Sequence, residues 1–236
     1  MKIISWNMNY WNQKSLHEKA WEYLVNYAAP DIAFLQETIV PEKYVNQTVF
    51  LESSTCKDNC KKWGTCIYVN KKLLDICGPL KNVTERFIDE NCSYGKQVFV
   101  ELEYKNTILT LCSLHTNSSD IATIDNHINS IFNDKVLNSR MRNVIIAGDF
   151  NADKEMADGT FIKTFNRIKN YYYECCPKKH TQTFFGVRMA ERNHYQDDHI
   201  FVSNNLSEIV GETFTWNYGK VKNFSDHTIL ETSLNL

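Results

Sequence analysis

"NVIIAGDFNADKE", residues 143–155, decides how this chain is read. An apolar run, Val144-Ile145-Ile146-Ala147, meets Gly148 and drops at once into Asp149, Asn151 and Asp153. A short apolar run bounded by turn residues reads as a buried strand. A strand ending in a polar turn is the plainest account of the rest, because Gly, Asn and Asp are common turn residues. The pattern recurs, however. "SWNMN" (5–9) brings a strand-like run to Asn7 and Asn9, "FLQET" (34–38) to Gln36 and Glu37, and "SLHTN" (113–117) to His115 and Asn117. "FSDH" (224–227) presents Asp226 and His227, and "QDDHIFVS" (196–203) starts a strand at Asp198. A buried strand holds its end rigidly, and in sheet proteins such ends often line one rim where ligands bind.

The composition sets the frame. The chain has 236 residues, 43% hydrophobic and 23% charged, ordinary values for a globular protein with a large core. A formal net charge of -2 does not mark the whole chain as a nucleic-acid binder, so such a partner would meet a local basic patch. Lys57, Lys61 and Lys62, and then Lys178, Lys179 and His180, are the candidates, each equally readable as a solvated loop. Eight cysteines at irregular spacing do not form a disulfide framework. Cys56, Cys60, Cys66 and the pair Cys175-Cys176 make no pair of CxxC motifs, so a structural zinc site is weakly supported. Cys66 and Cys112 sit in apolar runs, as small core hydrophobes do. "MKIISWNMN" enters a strand directly, and no stretch has the length of a membrane span. The expected compartment is the cytoplasm, with reduced thiols and no membrane partner.

No repeat, low-complexity tract or linker divides the chain, which favours one domain over residues 1–236. "KIISWN", "IAFLQET", "NVIIAGDFNAD", "DDHIFVS", "IVGETFTWN" and "SDHTILETSL" read as strands. "QVFVELEY" and "NTILTLCSLHTN" read as a strand pair, as do "GTCIYVN" and "LLDICG" around an Asn-Lys-Lys turn. "SLHEKAWEYLVNYAA" has helical spacing, with Ser15 and Glu18 placed as a capping box. "IATIDNHINSIFNDKVL" and "TFIKTFNRIKNYYYE" are also predicted helices. Strands dominate, with helices set between pairs of them. That predicts an α/β or α+β domain with at least one large mixed sheet, and favours two packed sheets with helices outside.

Carboxylates and amide oxygens are hard ligands suited to Mg²⁺ or Mn²⁺, and no cluster of Cys or His points to a softer metal. Together they suggest metal-assisted phosphoryl transfer, with a carboxylate to deprotonate water and a histidine to meet a phosphate oxygen. "SWNMN", "LQET", "LHTN", "GDFNAD", "DDHIFVS" and "SDH" occur in the order and approximate spacing of the endonuclease/exonuclease/phosphatase superfamily, the exonuclease III and DNase I-like group. The chain resembles that superfamily from residue 3 to 234. The resemblance implies a four-layer α/β/β/α sandwich, two packed mixed sheets flanked by helices, with the site on one rim.

It also implies roles. Glu37 corresponds to the principal metal ligand, with Asn7 beside it and Asp226 as a further ligand. Asp149 corresponds to the group that aligns or deprotonates the attacking water, and Asn151 to the amide that holds water or phosphate. His227 corresponds to the phosphate-contacting histidine, oriented by Asp198. His115 stands where DNase I-like members carry His, and Asn9 and Asn117 are candidates for touching substrate. Asp197 and Asp198 point to opposite faces of an extended strand, so only one enters the site. His199 is then structural or exposed, and His17, His127, His180 and His194 read as surface groups. Tyr10 and Trp11 depart from the family pattern, and a bulky pair there would narrow the site or form a stacking wall. Trp63, Phe185, Trp216 and Tyr218 are further aromatics for stacking or for packing.

The function expected from the resemblance is Mg²⁺-dependent hydrolysis of nucleic-acid phosphodiesters, as a nuclease or repair enzyme, with Mn²⁺ an alternative ion. A phosphodiesterase or phosphatase for a nucleotide, lipid head group or other small phosphate is the second reading. A catalytically inactive binding module of the same fold is the third, and a zinc-binding cysteine protein the fourth.

Overall fold

The computed structural model describes residues 1–52, 63–87, 96–116, 121–133, 137, 142–154, 159, 161–179, 181–186 and 195–236. Its strands form two six-stranded mixed sheets. The first runs β11 (Val210–Thr215), β12 (Leu230–Leu234), β1 (Lys2–Asn7), β2 (Ile32–Thr38), β4 (Gly64–Val69), β3 (Thr48–Glu52). The second runs β5 (Lys81–Phe87), β6 (Lys96–Tyr104), β7 (Thr107–His115), β8 (Asn143–Asp149), β10 (Asp198–Ser203), β9 (Tyr172–Glu174). Among the described residues, β1–β2 and β7–β8 are the parallel pairs. A parallel pair needs a long crossover. α1 (His17–Tyr23) lies in the first crossover and α3 (Ile121–Phe132) in the second.

The period of two along each strand divides the core. Ile3, Ile32, Phe34 and Ile67 of the first sheet meet Val100, Leu111, Ile145 and Ile200 of the second. The alternate residues Ile4, Trp6, Ala33 and Leu35 pack with Trp21 and Leu24 of the helical segment outside the first sheet. Cys112, Leu114, Val144 and Ile146 pack with Ile128 of α3 and Phe165 of α4 (Ile162–Ile168) outside the second. These are the four layers of an α/β/β/α sandwich.

The same parity positions the polar groups. Ile3-Ser5-Asn7, Leu111-Ser113-His115 and Ile145-Ala147-Asp149 continue the inner faces, and Ser5 and Ser113 are fully buried. Near one end the inner faces turn polar and bond across the gap. Gln36 Nε2 donates to Ser113 Oγ at 3.2 Å, and Asn7 Nδ2 to Asp149 Oδ2 at 2.9 Å. Gly148 is required by close approach: a Cβ built there lies 1.9 Å from the Leu114 carbonyl oxygen, on a backbone with φ +155°.

Several local expectations change. "LLDICG" is not a strand but α2 (Lys71–Cys77), because Asn70 caps it by accepting from the Leu73 amide at 2.7 Å. No Ser15–Glu18 capping box forms: 14–16 is a 3₁₀ turn, and Leu16 precedes α1 with no side-chain cap. The segment after α1 widens into a π-turn over Leu24–Ala28 and ends on left-handed Ala29. "YYE" leaves the helical reading to form β9. β3 and β5, which sequence pattern missed, are the edges at which the two sheets end. His17 and His127 are buried rather than surface groups. His17 Nε2 accepts from the Ile39 amide at 3.0 Å. His180, His194, Lys57, Lys61, Lys62, Cys56 and Cys60 lie outside the described residues.

His199 takes the outer face of β10. Its Nε2 donates to the Ala152 carbonyl at 2.9 Å and its Nδ1 meets Glu174 Oε1 at 3.1 Å. Lys154 Nζ lies 2.7 Å from the other Glu174 oxygen. Burial would raise the Glu174 carboxyl, but His199 and Lys154 outweigh it and hold it at about 2. Burial pulls the His199 imidazole down, and Glu174 outweighs this so that it lies above its ordinary value. The depressed acid adds stability above its unfolded pKa, lost as pH falls toward about 2. The raised base adds stability below its unfolded value, lost as pH rises through its folded one. Glu174→Gln is therefore expected to cost about 3 kcal/mol near pH 6, by breaking a buried ion pair. In urea unfolding the cost shrinks toward pH 3; equal stability of the two proteins near pH 6 would contradict this role.

Candidate active site

Three site residues sit in the left-handed region: Asn9 (φ 43°), Glu37 (φ 47°) and Asn151 (φ 47°). That conformation is costly for a side chain other than glycine, and here hydrogen bonds hold it. Asn9 N donates to Asn7 Oδ1 at 2.9 Å, Tyr10 N to the Glu37 carbonyl at 3.0 Å, and Asn151 N to Asp149 Oδ1 at 2.8 Å. At Glu37 the register between β2 and β4 shifts between Leu35 and Thr38. The left-handed turn redirects Glu37, which the period of two would send outward with Leu35, into the pocket.

That pocket, about 270 Å³, is lined by Asn7, Asn9, Glu37, Asp149, Asn151 and His227, among others. Asp149 is central. Both oxygens are bonded, Oδ1 to the Asn151 amide and Oδ2 to Asn7 Nδ2, so the carboxylate cannot rotate freely. Its Oδ2 lies 3.7 Å from His115 Nε2 and 3.9 Å from His227 Nε2. His115 Nε2 also faces Glu37 Oε1 at 3.8 Å. Asn151 Nδ2 donates to the Thr116 carbonyl at 3.2 Å, which leaves the amide oxygen of Asn151 for the pocket. Asn9 Nδ2 donates to Asp226 Oδ1 at 2.6 Å. His227 Nδ1 meets Asp198 Oδ2 at 2.8 Å, so Nε2 faces the pocket.

Charge is concentrated here. Burial alone would pull the His227 imidazole down, but Asp198, Asp149 and Asp226 outweigh it and raise it to about 10. The ring is an imidazolium at neutral pH, and Asp198 is its counter-ion. Burial pushes Asp197 up to about 8, with Asp149 and Asp198 adding to the shift. Burial also raises Glu37, more than the nearby histidines lower it.

A model of the Endonuclease/Exonuclease/phosphatase family matches residues 4–227. The chain belongs to that family. Its members are phosphoester hydrolases, in general dependent on a divalent metal. Among solved structures, D. rerio TDP2 complexed with a single-stranded DNA product is 18% identical with a TM-score of 0.72, over 100% of this chain and 99% of that one. The endonuclease domain of TRAS1, a telomere-specific non-LTR retrotransposon, is 15% identical with a TM-score of 0.67, over 100% and 98%. A mannosyl-6-phosphatase of Bacteroides thetaiotaomicron is 12% identical with a TM-score of 0.69, over 100% of both chains. No curated protein sequence matches.

The family's metal can be tested against the residues present. Among the described residues, no Lys or Arg forms an ion pair with Glu37, Asp149 or Asp226, although all three acids line one pocket. Three acids around one pocket, with His227 as the cation beside them and no Lys or Arg paired to them, fit a further bound cation. Among the described residues no three of His, Cys, Asp and Glu converge as ligands. Glu37 with the Asn7 and Asp226 oxygens are the groups that would hold the cation.

The structure thus brings together Asn7, Asn9, Glu37, His115, Asp149, Asn151, Asp226 and His227 around one pocket, with Asp198 behind His227. Asn117 lies outside the described residues. Tyr10 turns away from the pocket onto the ring of His17, 4.9 Å between centroids, whereas Trp11 lines the pocket. Three supports went unread in the sequence. Thr183 Oγ1 accepts from the Asp197 and Asp198 amides at 2.9 and 3.0 Å. Ser225 Oγ donates to the Asn7 carbonyl at 2.6 Å and accepts from the His227 amide at 2.9 Å. Phe184 bridges to the His227 backbone and lays its ring 4.8 Å from the imidazole. Ser225 stands in the quoted "SDH" and was findable as a side-chain turn. Thr183 and Phe184 act across long sequence separations that no local signal carries.

Proposed function

We propose that this chain hydrolyses phosphodiester bonds of nucleic acid with Mg²⁺ as its ion, Mn²⁺ serving as an alternative, by direct attack of water on phosphorus. The carrying observation is Asp149, immobilised through both oxygens, within 4 Å of two histidines and beside the open amide oxygen of Asn151. A bound divalent ion would neutralise phosphate charge and stabilise the leaving oxygen. Asp149 takes the proton of the attacking water, while the Asn151 amide oxygen accepts its other hydrogen and fixes its line of approach. His227, kept cationic by Asp198, donates from Nε2 to a non-bridging phosphoryl oxygen as charge builds there. His115, 3.7 Å from Asp149, is placed to donate to a second one.

Likeness to a TDP2 solved with a DNA product and to a retrotransposon endonuclease domain supports nucleic acid. A small phosphate ester is the second reading, favoured by the likeness to a mannosyl-6-phosphatase and by a pocket with no Lys or Arg among its described lining residues. Release of product from single-stranded DNA and from a sugar phosphate, side by side, separates the two. Turnover of the sugar phosphate alone would retire the nucleic-acid reading. The proposed compartment is the cytoplasm, which fits cysteines such as Cys66, Cys77, Cys175 and Cys176 that are in no disulfide among the described residues. Among the described residues no helix is long and apolar enough to cross a membrane.

Glu37→Gln is expected to raise the Mg²⁺ concentration for half-maximal activity about 10- to 100-fold, because an anionic ligand oxygen becomes a neutral amide oxygen. A metal titration of initial rates reads this. An unchanged midpoint would remove Glu37 from the ligand set.

A further inference from the structure

Trp11 lines the pocket, yet its side chain is left partly in solvent, at 37% exposure. An indole held open at the mouth of a polar site is unusual, and the backbone beneath it is fixed. Asn9 is left-handed, Tyr10 N donates to the Glu37 carbonyl, and Asn12 N and Gln13 N both bond the Asn9 carbonyl at 3.2 Å. Trp63, itself buried, meets Trp11 edge-on, 5.3 Å between centroids at 67°. Trp63 in turn lies 6.0 Å from the His115 ring. Lys14 Nζ stands over the Trp11 ring at 5.7 Å. Across the pocket, Phe184 lies against His227. The reacting centre is therefore flanked by a braced aromatic face on the Glu37 side, with a cation above it, while the pocket's described lining has no Lys or Arg.

We infer that Trp11 is the stacking platform for a nucleobase next to the scissile phosphate, and that Lys14 meets the flanking phosphate once the base takes its place over the indole. This rests on the nucleic-acid reading above. Every base has a π-face, so a single braced indole grips without reading sequence. One lysine adds one phosphate contact, which suits a single strand or strand end better than a long duplex that needs many. Trp11 is a specificity-determining residue and takes no part in the bond-making itself.

The test uses full-length protein carrying Asp149→Ala, so that strands are bound and not cut. Affinity for a short oligothymidine and for its abasic counterpart of equal length is read by fluorescence anisotropy with Mg²⁺ present. The base-bearing strand is expected to bind about 10-fold or more tightly. Adding Trp11→Ala brings the ratio of the two affinities to about one, while Trp11→Phe keeps most of it. Lys14→Ala weakens both strands and lowers the salt slope by about one. A ratio that survives Trp11→Ala overturns the inference, as does equal binding, or no binding, of the two strands before Trp11 is changed. Turnover by the unaltered protein is read separately. Cleavage of both strands at equal efficiency sinks the subsite and keeps the nuclease reading, whereas cleavage of neither sinks the substrate itself.

Discussion

Asp149→Ala is expected to lower turnover of a phosphodiester substrate by at least about 10³-fold with the fold intact. A positioned general base is worth about 10²- to 10⁴-fold, and this one also aligns the attacking water. The change empties the acceptor of the Asn7 amide and of the Asn151 N–H, so water orientation goes with the base. The fold does not depend on the lost charge. Asp149 disfavours the charged carboxyls of Glu37, Asp197 and Asp198 and favours the charged imidazole of His227, so its removal relieves a repulsion and gives up an attraction together. Native circular dichroism and a cooperative urea transition are the accompanying result. A rate within a few-fold of the original would contradict the role.

The second large effect concerns His227 and Asp198. His227→Ala is expected to lower kcat by about 10²- to 10³-fold, because it removes a cationic donor aimed at a phosphoryl oxygen. Asp198→Asn is expected to cost less, about 10- to 100-fold, since the imidazole remains but loses its counter-ion at 2.8 Å. The two act through one group, so the double variant is expected to be no slower than His227→Ala alone. Multiplying losses in that cycle would mean that Asp198 reaches the reaction by a separate route.

The strand ends were legible because two simple periods coincide. Apolar alternation over Ile145, Ala147 and Asp149, and over Ile3, Ser5 and Asn7, carries the inner face of each sheet directly into the site. Strand runs with helical spacing between them favoured two packed sheets with helices outside, and the resemblance to the superfamily implied the four layers. What escaped the sequence has physical reasons. Glu37 was legible as a site residue, but the left-handed bulge by which it enters the pocket against the parity of its strand was not. "LLDICG" carries the apolar content of a strand, and the Asn70 cap decides for a helix. β3 and β5 are sheet edges, where one-sided pairing leaves a weak pattern. His17 looks like a surface histidine until the distant Ile39 meets it in the core, and His199, read as structural or exposed, is structural through Glu174 and Ala152. Thr183 holds the site from 14 residues before Asp197, and Ser225 from the far end of the chain, 218 residues from Asn7.

The measurement that tests the central claim most directly is nicking of supercoiled plasmid by this protein with Mg²⁺, with EDTA, and with Asp149→Ala alongside. The expected result is cleavage of the plasmid, or of single-stranded DNA run beside it, with Mg²⁺, none with EDTA, and a loss in the variant of at least about 10³-fold. Nicking that persists in EDTA or in the variant would contradict it. So would folded protein that binds Mg²⁺ yet leaves both plasmid and single-stranded DNA uncut.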